Sequence, residues 1–329
     1  MLPGACQTGG VDHDPSRPDR DADALDVAQV TQALIDHDYL PDEGLATAVF
    51  LALRLARPLL LEGEAGVGKT EVAKVLARWT GGELIRLQCY EGIDVSQAVY
   101  EWDYSRQLLH LRAAEATGSA DRSGGDERAD ALTDELYSER FLVRRPLLAA
   151  VAPTLGGPPP VLLIDEIDRA DDEFEAFLLE ILADYSVTIP ELGTFRADTP
   201  PVVVITSNRT RDVHDALKRR CLYHWVEHPE FEREVRIVTT RVPEASEQLA
   251  RQVAAATEVF RGVGMYKPPG VAETIDWTQA LALLGRTELD EPSVAATLGT
   301  VLKYREDQER ARHAGLGDLV DAARARAAP

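Results

Sequence analysis

The residues with the clearest chemical potential are Gly63-Glu64-Ala65-Gly66-Val67-Gly68-Lys69-Thr70, which fit G-x-x-x-x-G-K-[ST] in full. Glycines at these spacings let successive backbone N–H groups turn inward around phosphate oxygens, and a following helix adds its positive N-terminus. In such a loop Lys69 would reach the terminal phosphates and the Thr70 hydroxyl would hold Mg²⁺, with Glu71 next in the same segment. The plain alternative is a chance glycine-rich turn. It does not explain why an apolar run precedes the loop and a helical pattern follows it.

A second group is Val161-Leu-Leu-Ile-Asp165-Glu166. A buried strand that ends in two carboxylates is costly unless a cation or a reaction uses them. Asp165 would join the Mg²⁺ shell and Glu166 would polarise an attacking water; solvated acids capping a strand are the alternative. Val202 to Thr206 leads into Ser207-Asn208, where an amide at a strand tip could bond the water or a phosphate, or simply form a turn. Lys218-Arg219-Arg220 could neutralise charge on a transferred phosphate or be a solvated basic cluster, and the sequence leaves both open.

The elements that must position these residues are short apolar runs separated by helical patterns. Runs at 58–62, 84–87, 161–164, 202–205 and 222–226 read as strands buried on both faces. Five of them alternating with helices predict an α/β class domain with a doubly wound, parallel five-stranded sheet of P-loop NTPase type. Helices are expected around 27–34 and 43–56, with a turn at Tyr39-Leu40-Pro41-Asp42. Phe174, Phe177, Leu178, Ile181 and Leu182 form a core stripe on one helix. After Pro229 the pattern is helical, with helices expected over 230–241, 245–261, 273–285 and 291–313 and a break at Lys267-Pro-Pro-Gly270. The expected organisation is a disordered tail at 1–22, an α/β core at 23–228 with a mobile insertion at 114–135, and an all-helical lid domain with a C-terminal tail at 229–329.

Composition narrows the class. Among 329 residues, 35 Lys and Arg face 56 Asp and Glu, a formal net charge of −21. Such a surface repels nucleic-acid phosphates and anionic membranes. Leu45–Leu61 is the most apolar stretch, but Arg54 and Arg57 interrupt it, so no membrane span is expected. Cys6, Cys89 and Cys221 lie far apart, and the scattered His110, His214, His224 and His228 have no metal-ligand spacing. A cytoplasmic protein without a zinc site or disulfide framework is expected, with no signal peptide at Met1.

Together the motifs resemble the AAA+ ATPases, and within them the MoxR-like branch, nearest to the CoxD-like group associated with maturation of carbon monoxide dehydrogenase. The resemblance spans about residues 38–305 and rests on Pro58–Thr70, Leu163–Ala170 and Ala216–Trp225, supported by Tyr100–Gln107 and Lys267–Trp277. It implies ATP and Mg²⁺ as cofactors, hydrolysis to ADP and phosphate, and a ring of identical subunits, a hexamer, with ATP between neighbours. It implies Asn208 as the sensor-1 residue, Arg220 with Arg219 as the finger that reaches a neighbour's nucleotide, and Tyr39 and Leu40 beside adenine. Residues 186–201 match the hairpin inserted before sensor 1, and 91–104 the helix-2 insertion. By analogy the output is chaperone-like remodelling of a client metalloenzyme, with a von Willebrand factor A-domain protein as adaptor. One departure stands out: Val271-Ala-Glu-Thr-Ile-Asp276, where a sensor-2 arginine belongs, holds none, and Arg286 is a substitute to consider.

Three other readings compete. A nucleotide-dependent switch or scaffold would bind and hydrolyse slowly. A small-molecule kinase would need an acceptor pocket. A nucleic-acid motor conflicts with the acidic charge.

Overall fold

The structure is a computed structural model that describes residues 25–116, 132–153 and 156–328. The chain opens with α1 (Val27–Asp36) and α2 (Glu43–Leu55), then β1 (Leu59–Glu62), α3 (Lys69–Thr80) and β2 (Leu84–Gln88). Next come α4 (Val95–Ala98), β3 (Tyr100–Trp102) and α5 (Tyr104–Ala116), followed by α6 (132–136). β4 (Leu142–Arg144), α7 (Pro146–Val151), β5 (Val161–Asp165) and α8 (Asp172–Asp184) lead to the hairpin β6 (Ser186–Ile189) and β7 (Gly193–Arg196). β8 (Val202–Ser207), α9 (Asp215–Arg220) and β9 (Leu222–Trp225) complete the α/β part.

The main sheet is parallel with strand order β2-β5-β8-β1-β9. Side chains alternate between two apolar cores, as the two-residue period of a strand requires. Leu60, Leu162, Ile164, Val203 and Ile205 face α7 and α8. Leu59, Leu61, Val161, Leu163 and Val204 face α1, α2 and α3. Truncating a fully buried leucine here, such as Leu163, costs about 2–5 kcal/mol. Because all five strands run the same way, their C-terminal ends share one edge, where open α/β sheets bind ligands. The register pairs Gln88 with Asp165, and Glu62 with Ser207, so the loops after β2, β5, β1 and β8 start at nearly one height.

The remaining elements are helical: α10 (Phe231–Arg241), α11 (Glu247–Gly262), α12 (Val271–Leu283), α13 (Glu291–Val301), α14 (Arg305–Ala314) and α15 (Leu316–Ala327). They enclose a core of their own around Trp277 and Phe260.

Two expectations need correction. The helix expected over 291–313 is two helices, because Leu302 turns to extended backbone and buries its side chain, forcing a break without Gly or Pro. The C-terminal residues expected as a tail form α15, whose Leu319, Val320 and Ala323 are buried in the helical core. Of the expected insertion at 114–135, residues 114–116 end α5 and 132–135 begin α6, while 117–131 and the 1–22 tail lie outside the described residues. The hairpin expected within 186–201 is β6–β7. The 91–104 segment holds α4 and β3, and β3 pairs antiparallel with β4.

Candidate functional site

The loop after β1 carries the chain into α3. Gly68 is the N-cap with φ +95°, a left-handed backbone that a side chain would strain. Lys69 is buried, and its Nζ donates to the carbonyls of Gly63 at 2.8 Å and Glu64 at 2.6 Å. Burial pulls its ammonium down to about 8, against the nearby carboxylates of Asp168, Asp165, Glu64 and Glu166, which favour the charged form. Below the loop, Glu62 is buried and is matched by Lys218 at 3.6 Å.

The carboxylates at the end of β5 lie across from this loop. Asp165 Oδ1 accepts from the hydroxyls of Thr70 at 3.1 Å and Thr206 at 2.5 Å. Its Oδ2 accepts from Arg86. Glu166 adopts a left-handed backbone at φ +56°, held by its N–H donating to Thr206 Oγ1. That uncommon conformation in a non-glycine residue turns the chain sharply at the strand end. The Glu166 carboxylate meets Asn208 Nδ2 at 3.5 Å, Gln88 Nε2 at 3.2 Å and Arg169 Nε at 2.9 Å.

The loop after β8 is fastened by Asp168. Its buried carboxylate accepts from the backbone N–H groups of Asn208 and Thr210 and from the Thr210 hydroxyl.

These groups line one cleft of about 370 Å³. Ala65 to Glu71, Asp165, Glu166, Thr206 and Asn208 form its polar floor. Tyr39 and Leu40 lie on its wall with Val271, Ala272 and Ile275 from α12 and Ile237 from α10. The Leu40 carbonyl is occupied by Arg233, at 2.7 Å from Nη2 and 3.1 Å from Nε. Arg241, also in the wall, pairs with Glu71 at 3.4 Å.

Gly63 and Glu64 serve the site through their carbonyls and border a neighbouring opening with Arg209 and Trp225. Arg219 and Arg220 are not brought into this cleft. Arg219 pairs with Asp215 at 3.4 Å, and Arg220 Nη1 donates to the Leu179 carbonyl at 2.5 Å. Arg286 pairs with Asp290 at 3.5 Å, away from the cleft lining. Where a lid arginine is missing, the start of α12 touches the phosphate-type loop directly: Ala272 N–H donates to the Gly66 carbonyl at 3.1 Å.

Sequence reading missed Arg86, Gln88, Asp168, Arg169, Thr206, Arg233 and Arg241. Thr206 and Asp168 each lie beside a residue already singled out. The two β2 side chains and the two α10 arginines carry no motif.

The donor set suits a magnesium–nucleotide complex. A hydroxyl and a carboxylate oxygen 3.1 Å apart are hard ligands of the kind Mg²⁺ takes, with waters and substrate phosphates completing its shell. Among the described residues no cluster of three or more His, Cys, Asp or Glu could hold a metal ion. Three of the four histidines serve elsewhere: His110 meets Glu135, His214 caps α9, and His224 meets Asp42. Cys89 and Cys221 are buried free thiols, each pushed up to about 12, chiefly by burial. Among the described residues no helix is long and apolar enough to cross a membrane.

Residues 58–221 match the AAA domain family, dynein-related subfamily. That match marks this part of the chain as an AAA+ P-loop ATPase domain. Similar solved structures include a mutant RuvB from Thermotoga maritima (16% identity, TM-score 0.45, covering 82% of this chain and 72% of that one). Another is a Cytophaga hutchinsonii protein assigned as an ATPase (13% identity, TM-score 0.42, covering 90% of this chain and 94% of that one).

Proposed function

We propose that this chain hydrolyses ATP to ADP and phosphate in the cleft at the ends of β1, β5 and β8. The observation that carries the reading is the meeting of Glu166 and Asn208 beside the Lys69–Thr70 turn. A protein that only held nucleotide would not need a second carboxylate braced by an amide and two further donors.

The geometry supports the following roles. Backbone N–H groups from Ala65 to Thr70 cradle the phosphates, and Lys69 exchanges its two carbonyl partners for phosphate oxygens. Thr70 and Asp165 would hold a Mg²⁺ ion, which would neutralise charge on the phosphates. Glu166 accepts a hydrogen bond from the attacking water and orients it, while Asn208 fixes the Glu166 carboxylate. Tyr39 and Leu40 lie against the base, with the Leu40 carbonyl fixed by Arg233. The resemblance gives Arg220, with Arg219, the role of reaching a nucleotide on a neighbouring subunit of a homo-oligomeric ring, and neither lines the cleft of its own chain.

The MoxR-like resemblance supports a hexameric ring whose output is chaperone-like remodelling of a client protein. Its CoxD-like version is maturation of a metalloenzyme of the carbon monoxide dehydrogenase type, with a von Willebrand factor A-domain adaptor.

Glu166→Gln tests the hydrolysis reading. ATP affinity stays within about threefold while turnover falls by about 10²-fold or more, the scale of losing a positioned base. Unchanged turnover removes Glu166 from the mechanism and returns the chain to a slow nucleotide switch.

A further inference from the structure

Asp165 is buried, and both of its oxygens are engaged. The Thr70 and Thr206 hydroxyls share Oδ1. Oδ2 belongs to Arg86, whose Nε lies at 3.1 Å and Nη2 at 2.5 Å. Arg86 comes from β2, the edge strand beside β5, and its side chain is 55% exposed. Its Nη2 also donates to Gln88 Oε1, and Gln88 Nε2 donates to Glu166 Oε2 at 3.2 Å. One side-chain network therefore runs from Asp165 through Arg86 and Gln88 to Glu166.

The charge balance gives this network a consequence. A carboxylate this deeply buried needs a cation, and Arg86 supplies one directly. A divalent ion at the Thr70–Asp165 pair would place two more positive charges against the same carboxylate. Cations crowded around one acid repel one another, and poorly screened sites feel this most. Arg86 is half exposed and can swing into water at little desolvation cost. The metal, held by phosphates as well, cannot move as freely.

We propose that Arg86 is a positioning residue that competes with the divalent metal for Asp165. It holds Oδ2 before the metal–nucleotide complex arrives, and so raises the metal concentration needed to fill the site. When the metal takes Asp165, Arg86 loosens, and with it the Gln88 contact to Glu166. The proposal rests on the nucleotide-site reading above.

The test measures metal-dependent nucleotide binding, without turnover. A fluorescent N-methylanthraniloyl ADP is titrated with Mg²⁺ against the full chain, and the Mg²⁺ midpoint is compared among wild type, Arg86→Gln and Arg86→Lys. Arg86→Gln lowers the midpoint by about three- to tenfold, the size of losing a half-exposed charge pair. Arg86→Lys, which keeps the charge but loses the forked geometry, lowers it less. Thermal unfolding confirms that each variant is folded, and if the Gln variant is not, the Lys variant decides. An unchanged midpoint in the folded variants overturns the competition. A raised midpoint also overturns it and makes Arg86 an orienting partner that helps the metal bind. If wild-type protein binds the ADP probe with no dependence on Mg²⁺, the competition is overturned while the nucleotide site stands; if it does not bind the probe at all, the nucleotide-site reading fails and the proposal falls with it.

Discussion

Asn208 Nδ2 lies 3.5 Å from Glu166 Oε1, across 42 residues of chain. The two sit at the ends of adjacent parallel strands, β8 and β5. Asp168 fastens the backbone of Asn208, so the residue is held from behind with its amide tip toward Glu166. At 3.5 Å the contact is long, and a bound nucleotide and water have room to shorten it. Asn208→Ala should lower turnover by about 10- to 100-fold, in the range for removing one aligned donor. Nucleotide affinity, measured by equilibrium titration, should stay within about threefold. An equal loss of affinity would make Asn208 a phosphate ligand instead of a brace for Glu166.

Lys69 gives a pH signature. Its ammonium falls from 10.5 to about 8 on burial, so between those values the folded protein holds fewer protons than the unfolded chain. Stability should therefore gain from this group as pH rises from about 8 to 10.5, and the cost of burying the charge is fully present below about 8. Phosphate binding restores the charge. At pH 9 nucleotide binding should take up a proton, and at pH 6.5 it should take up almost none. Calorimetry in buffers of different ionisation enthalpy reads this directly. Lys69→Gln should abolish the uptake, and uptake that survives the substitution assigns the proton to another group.

The central strands were legible because their chemistry sits at the ends of uninterrupted apolar runs. Val161–Ile164 and Val202–Ile205 stop at residues that line the cleft, and Leu59–Leu61 stops just before the loop that does. Arg86 and Gln88 were not legible. β2 alternates exposed and buried residues, and its polar side chains look like a solvated edge until β5 is placed beside them. Arg233 and Arg241 were hidden for a related reason: on α10 they read as the polar face of an amphipathic helix. The missing lid arginine was legible as an absence, but its structural counterpart was not. A backbone N–H at Ala272 that reaches Gly66 leaves no trace in side-chain chemistry.

That lid contact depends on one small residue. A Cβ at Gly270 would lie 2.7 Å from the Ala65 carbonyl oxygen and 2.9 Å from the Gly66 Cα, and backbone cannot yield as a side-chain tip can. Gly270→Ala should push α12 off the loop, costing about 1–3 kcal/mol of stability by overpacking and weakening nucleotide binding as well. Gly262, at the end of α11, has open space where its Cβ would be. Gly262→Ala should be neutral or stabilising by up to about 1 kcal/mol. Denaturant unfolding of the two variants separates the close approach from a general effect of losing glycine. Equal stability changes would show that the α12 contact is not tight.

Arg220 is the sharpest test of a shared site. From the end of α9 its side chain bonds the Leu179 carbonyl of α8, and it has no place in its own cleft. If it serves a neighbour's nucleotide, Arg220→Ala leaves each subunit's Glu166 intact but removes the group its neighbour needs. Glu166→Gln does the reverse. Arg220→Ala alone should lose about 10³-fold or more in turnover if the arginine stabilises the transferred phosphate as such residues do in GTPases, and Glu166→Gln alone about 10²-fold or more. Mixed in equal amounts and allowed to exchange subunits, they should recover activity. In a head-to-tail ring a site works when its own subunit has Glu166 and its neighbour has Arg220, which random mixing gives at about one site in four. The ATPase rate of the mixture should thus reach about a quarter of wild type. A mixture that stays as inactive as its components, with exchange verified by mass, would place the finger within the chain or remove Arg220 from the reaction.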